Sequence, residues 1–289
     1  MRIKALLGLL ALSFGLLASA NAAEKKLPTR PFADGDHVIY LPARGAAVPK
    51  VIPKAGFGNL RNGGGPVLTS AKVVFIFWGP SFSNAASPDF AYAQTLQAFR
   101  NQFGTTPEYN VITQYSGIQL ANLGSGTADW FDGSTPPINV TDAIVQAEVG
   151  AYLATHAFNG STIYEVVIPS ASYSTSGSST SCGGPSLSYC AYHGHFTSGV
   201  NDVKYSIEPY PSCSGCQVAG WTAVQNQQHF VCHETREAVT DPDLNAWSDL
   251  IGYEADDKCA WSPTPFVGTG GYSYQYEWSN ATRSCVKTR

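Results

Sequence analysis

The stretch HFVCHETREAVTDPDLNAW, residues 229–247, decides how this chain is read. It nearly spells the zinc helix H-E-x-x-H, but Glu237 stands where the second imidazole is expected after His233 and Glu234. On a helix, side chains four apart project from one face, so His233 and Glu237 can reach one cation. Glu234, about 100° further around, can touch a water beside that cation, the position of a general base. A carboxylate is an acceptable zinc ligand, though it weakens the ion as a Lewis acid and lets oxygen-preferring manganese or calcium compete. The expected cofactor is therefore a divalent metal, zinc first and manganese or calcium as alternatives.

A third donor is needed. Asp243 follows His233 by ten residues, and Glu254 stands in GYEADDKCAW, residues 252–261. Glu254 is preferred, because Pro242 at the helix stop aims Asp243 outward; Asp257 supports the site or replaces Glu254. His229, four before His233, lies on the same helical stripe and lines the cleft in this reading. His193 and His195, in YHGHF, alternate along a strand and share a face, as extra ligands, substrate contacts or structural histidines. The plainer reading of the helix is a solvated face whose Glu, His and Arg residues form local ion pairs. Cys232 reads as a buried, inert thiol.

Working outward, the helix should run from about Trp221 to Thr240 and stop at Asp241-Pro242, because proline disfavours helix in the residue before it. KVVFIFWG, residues 72–79, is a short apolar run ended by Gly-Pro and reads as a buried strand. A helix begins at Ser87-Pro88-Asp89, and another at Thr141-Asp142. YNVITQYS (109–116), STIYEVVIPS (161–170), YCAYHGHF (189–196) and VKYSIEPY (203–210) read as strands, and residues 170–188 as a long Ser/Gly loop. The order gives an α/β (α+β) fold: a mixed sheet with backing helices, a zincin-like active-site helix and an irregular C-terminal part.

Residues 1–22 carry a basic start, an apolar run and a small-residue end, as expected of a secretory signal peptide; residues 23–65 read as a Pro/Gly-rich flexible lead-in. Residues 66–289 then form one α/β domain with a C-terminal subdomain from about 241. No apolar run is long enough to span a bilayer. The expected location is extracellular, or periplasmic in a Gram-negative cell. Charged residues are only 13% of the chain against a typical value of about 25%, and the net charge is −4. With no Lys/Arg cluster to meet phosphates, nucleic acid is excluded as a partner.

Seven cysteines lie between 182 and 285. Export makes disulfides the expectation. The pairing read from spacing is Cys182 with Cys190, Cys213 with Cys216 and Cys259 with Cys285, leaving Cys232 free. Spacing does not fix connectivity, and CSGC is also a possible zinc pair.

In order along the chain, GGPVLTSAKVVFIFWGPSF, YNVITQYS, CAYHGHF, EPYPSCSGCQVAGW and HETREAVTDPDLNAW…GYEADDKCAW resemble the EXORDIUM-like, or phosphate-induced, family of secreted proteins, over about Gly65 to Trp261. In plants that resemblance implies apoplastic, growth-associated proteins without an established enzymatic activity, whose helix generally lacks the His-Glu pair. Microbial members with the HE…E…TDP…NAW form resemble metallopeptidases. Two functions follow as expectations. One is a secreted metal-dependent hydrolase acting on peptides or proteins. The other is a non-catalytic module binding cell-wall material or a protein through the aromatic tail, Tyr253, Trp261, Tyr272, Tyr274, Tyr276 and Trp278.

Overall fold

The computed structural model describes residues 33–34, 38–46 and 58–289. The expected leader, residues 1–22, and most of the lead-in lie outside the described residues. Seven strands form the main sheet: β1 (Ala33–Asp34), β2 (Val38–Pro42), β3 (Lys72–Trp78), β4 (Trp130–Asp132), β5 (Thr162–Val167), β6 (Tyr189–Ser198) and β7 (Asn201–Glu208). Their order is β1-β2-β6-β7-β5-β3-β4. The β1, β2, β6 and β7 neighbours are antiparallel, whereas β7-β5, β5-β3 and β3-β4 are parallel, so the sheet is mixed.

Three α-helices cover it: α1 (Pro88–Phe103), α2 (Asp142–Leu153) and α3 (Ala223–Thr240). KVVFIFW is apolar at every position after Lys72 because both faces of β3 are covered. Val73, Phe75 and Phe77 join a core with Leu96, Phe99 and Phe103 of α1 and Val231 and Val239 of α3. Val74, Ile76 and Trp78 join the opposite core, with Val145 and Val149 of α2. The α+β class with a mixed sheet is as the sequence predicts.

Four local readings are corrected. Tyr109–Gln114 is a 3-10 helix rather than a strand; its buried Tyr109, Val111 and Ile112 make a short apolar run whose periodicity does not separate the two. The loop at 170–188 contains the strand Tyr173–Ser176, which pairs with Asn139–Thr141 and Ser179–Thr180. Its inward positions are Ser174 and Ser176, so the period of two carries no hydrophobic signal. Within the lead-in, Val38–Pro42 is a fully buried strand beside β6, its Val-Ile-Tyr-Leu run ended by a proline.

The fourth correction is the disulfide pairing. Cys182 bonds Cys213 and Cys190 bonds Cys216, while Cys259–Cys285 is as expected and Cys232 is free and buried. A short 3-10 turn, Ser214–Cys216, presents both CSGC thiols to the Ser/Gly loop and the start of β6. The bridges close spans of 31 and 26 residues, which constrain an unfolded chain more than the short spans read from spacing. With both sulfurs bonded, CSGC is no zinc pair. The segment after Asp241 also packs inward, Ala255 and Tyr274 joining the α1/α3 core. A non-reducing digest should yield linked peptides 182/213, 190/216 and 259/285, and Cys232 should react with a thiol reagent only after denaturation; a Cys182–Cys190 peptide would refute this connectivity.

Candidate metal centre

Helix α3 begins with a capping box. Thr222 accepts from the Gln225 amide at 3.3 Å, and the Gln225 side chain accepts from the Thr222 amide at 2.9 Å. Such a cap contributes about 1 kcal/mol. The helix ends at Thr240, and the Asp241 amide donates back to the Glu237 carbonyl, as the Asp-Pro stop predicts.

Between its caps α3 is buried all round from Asn226 to Thr240, polar side chains included. That overturns the reading of a solvated helix face. One side lies on the sheet, where His193, Ser206 and Glu165 form a row across β6, β7 and β5. Thr235 donates to Glu165 at 2.6 Å, and Gln227 donates to Glu208 at 2.8 Å. The other side is closed by the C-terminal segment: Arg236 pairs with Asp256 and with Glu277, the latter at 2.7 Å. The nearest guanidinium is thus committed away from Glu234 and Glu237.

His233 and Glu237 do converge, Nε2 lying 3.1 Å from Oε2. The Asp257 Oδ1 is 3.9 Å from the same Nε2, and the Asp257 amide donates to Glu237 Oε1 at 2.8 Å. His193 enters from β6: Nδ1 is 3.1 Å from Glu234 Oε2 and 3.7 Å from Glu237 Oε2, and Nε2 is 3.6 Å from Glu254 Oε2. Two sets of three side chains can each bring one ligand atom within 4.8 Å of the others: His233, Glu237 and Asp257, and His193, Glu237 and Glu254.

Gln275 sets the protonation of His233. Its amide nitrogen donates to the Asp256 carbonyl at 2.8 Å and to the Asp256 carboxylate at 3.0 Å, which fixes the amide orientation. The Gln275 oxygen faces Nε2 of His229 at 2.7 Å and Nδ1 of His233 at 3.2 Å, so both rings donate to it. Burial lowers the His233 pKa, against the pull of Asp256 and Asp257, so the ring is neutral. A neutral ring with its proton on Nδ1 points a bare lone pair from Nε2 at the Glu237 carboxyl group. Neither that nitrogen nor Glu237 Oε2 makes a hydrogen bond. Burial, then the neighbouring acids, pushes the Glu234 and Glu237 carboxyls well up.

The structure brings together Glu234, His233, Glu237, Glu254, Asp257 and His193 among the residues singled out from sequence. It groups Asp243 elsewhere, paired with Lys204 in a partly exposed cluster with His195 and Asp202. His195 bonds Asp202 at 2.9 Å. His229 sits against Trp261, edge to face, and its role is to hold Gln275 rather than to line a cleft. Gln275, Glu165 and Glu208 carry no motif. A charged residue inside the apolar run TIYEVV was a usable signal for Glu165; Gln275 offered none. Cys232 is inert, burial pushing its thiol up to about 12.

No family model, curated protein or solved structure matches the chain. Among the described residues, no helix is long and apolar enough to cross a membrane.

Burial lowers the His229 pKa to about 3, so the folded protein disfavours its protonation. An unfolded histidine titrates near 6.5, so stability is full above that pH and falls as pH drops from about 6.5 toward 3, by at most roughly 1.4 kcal/mol per unit. His229→Gln should show a shallower loss of Tm between pH 7 and pH 5 than the parent chain; identical slopes would refute a buried neutral imidazole.

Proposed function

We propose that the chain binds a divalent cation through His233, Glu237 and Asp257, and that this centre serves metal-dependent hydrolysis of peptides. One observation carries the reading: a bare imidazole nitrogen held 3.1 Å from a carboxylate oxygen, sealed from water. Donors about 2.0–2.1 Å from a tetrahedral zinc stand about 3.3 Å apart, so the spacing suits a shared cation. The two carboxylates beside the imidazole keep manganese and calcium as competitors. A bound divalent ion supplies Lewis-acid polarisation of a carbonyl and lowers the pKa of water.

The residues of α3 supply the rest. Glu234 uses Oε2 to hold the His193 ring, while its Oε1 makes no hydrogen bond. In the proposed reaction that oxygen takes the proton of the attacking water and returns it to the leaving amine. Thr235, clamped to Glu165, fixes the rotation of this helical turn against the sheet.

A second reading has its own support. His193, His233, Glu234, Glu237 and Glu254 are all 0% exposed, and closed coordination is the habit of structural rather than catalytic metal sites. In that reading the ion ties the C-terminal segment to α3. The binding-module reading drawn from the EXORDIUM-like resemblance has less support: Tyr253 and Tyr274 are buried, and Trp261, Tyr272, Tyr276 and Trp278 are half-buried, so the tail offers no exposed aromatic row. An extracellular location fits three disulfides.

Elemental analysis of the purified full chain should find a divalent metal in stoichiometric amount; none would remove the proposal. Glu234→Gln should keep that metal and lose peptide hydrolysis by about 10²–10⁴-fold. If chelation lowers Tm while the loaded parent chain cleaves no peptide, the ion is structural.

A further inference from the structure

The proposed ion uses only one side of Glu237. Its Oε1 is taken by the Asp257 amide, leaving Oε2 facing two imidazole rings, 3.1 Å from His233 Nε2 and 3.7 Å from His193 Nδ1, and one ligand atom each of His193, Glu237 and Glu254 lie within 4.8 Å of one another. Each imidazole has its own further carboxylate. Asp257 stands 3.9 Å from His233, and Glu254 stands 3.6 Å from His193. The two sets of potential ligands therefore repeat one composition, a histidine and an acid, and share Glu237.

The two imidazoles are also supported in parallel. His233 has Nδ1 fixed by Gln275 and Nε2 directed at Glu237; His193 has Nδ1 fixed by Glu234 and Nε2 directed at Glu254. A ring nitrogen held by an oxygen while the other faces acids is how metal-binding histidines are oriented.

We infer that the centre is dinuclear: Glu237 bridges two divalent cations, one held by His233 and Asp257 and the other by His193 and Glu254. This rests on the metal-binding reading above and adds a second ion to it. Paired ions about 3.5–4 Å apart clamp the attacking and leaving oxygens of one displacement. Such a pair suits a hydrolytic centre better than a structural one.

The test is the metal content of the full chain after loading with manganese and removal of excess. Two ions per chain are expected, with an exchange-coupled multiline spin-resonance spectrum. One ion per chain with an isolated six-line spectrum overturns the dinuclear centre and leaves the single-ion reading standing. No bound ion overturns both. His193→Ala should fall from two ions to one and convert the spectrum to six lines; retention of two would refute the assignment. If His193→Ala does not fold, Glu254→Gln, which keeps size and shape, should lower the occupancy of the second position in the same way.

Discussion

A lone pair on His233 Nε2 aimed at a carboxylate oxygen of Glu237, 3.1 Å away and out of reach of water, is the constraint around which this core is arranged. In water the contact would be trivial, because solvent would turn a proton toward both atoms. In a sealed interior an ionised carboxylate loses several kcal/mol of hydration, which is why burial pushes the Glu237 carboxyl well up, and the bare nitrogen of a neutral imidazole makes no hydrogen bond to it that would recover the loss. The surrounding structure keeps them in place. Gln275 holds the His233 ring by its other nitrogen, the Asp257 amide holds Glu237 by its other oxygen, and the α3 backbone sets the four-residue spacing. A positive charge between the two atoms turns this opposition into attraction.

The rest of the fold seals that site. Both faces of β3 are apolar, so the sheet needs helices on each side, and α3 is one of the covers. Its sheet-facing side is polar where it meets Glu165 and Glu208, acids set in otherwise apolar strands, and burial raises both pKa values. Its outer side would be wet without the segment after Asp241. That segment is pinned by Cys259–Cys285 and by the paired charges of Arg236, Asp256 and Glu277, and it contributes Glu254, Asp257 and Gln275. The C-terminal part therefore completes the centre as well as covering it.

Much of this was legible from residue order. Periodicity located the three helices and the central strands, because their burial is expressed in hydrophobic side chains. Spacing alone placed His233, Glu234 and Glu237 on one turn, since i, i+1 and i+4 are fixed by helical geometry. Legibility failed where contacts are long-range. Asp243 and Glu254 are both plausible from their distance along the chain, and only the packing of the tail sends Asp243 to Lys204 and Glu254 to His193. Two of the three disulfides failed for the same reason, Cys182 and Cys190 being bonded to Cys213 and Cys216 rather than to each other. The strand at Tyr173–Ser176 was hidden because serines fill its inward positions.

The remaining tension is between chemistry and access. In the proposed hydrolysis Glu234 takes the base's position with an oxygen free of hydrogen bonds, yet it and its neighbours His193, His233, Glu237 and Glu254 are all 0% exposed. The two facts are compatible if the lining that must move is the part held least by regular structure. The sheet side of α3 is built from long, paired strands, whereas Glu254 and Asp257 sit on a short 3-10 turn and the irregular stretch before it, held at Cys259–Cys285 and by the Asp256 and Lys258 ion pairs rather than by a strand ladder. Opening there would expose Glu237 Oε2 and His233 while leaving His193, Glu234 and Glu165 fixed on the sheet side. Local openings draw on segments with few backbone ladders. In the proposed hydrolysis, the base and one imidazole belong to the sheet side and the outer acids to the irregular segment, so the proposed centre would keep its geometry while admitting a substrate.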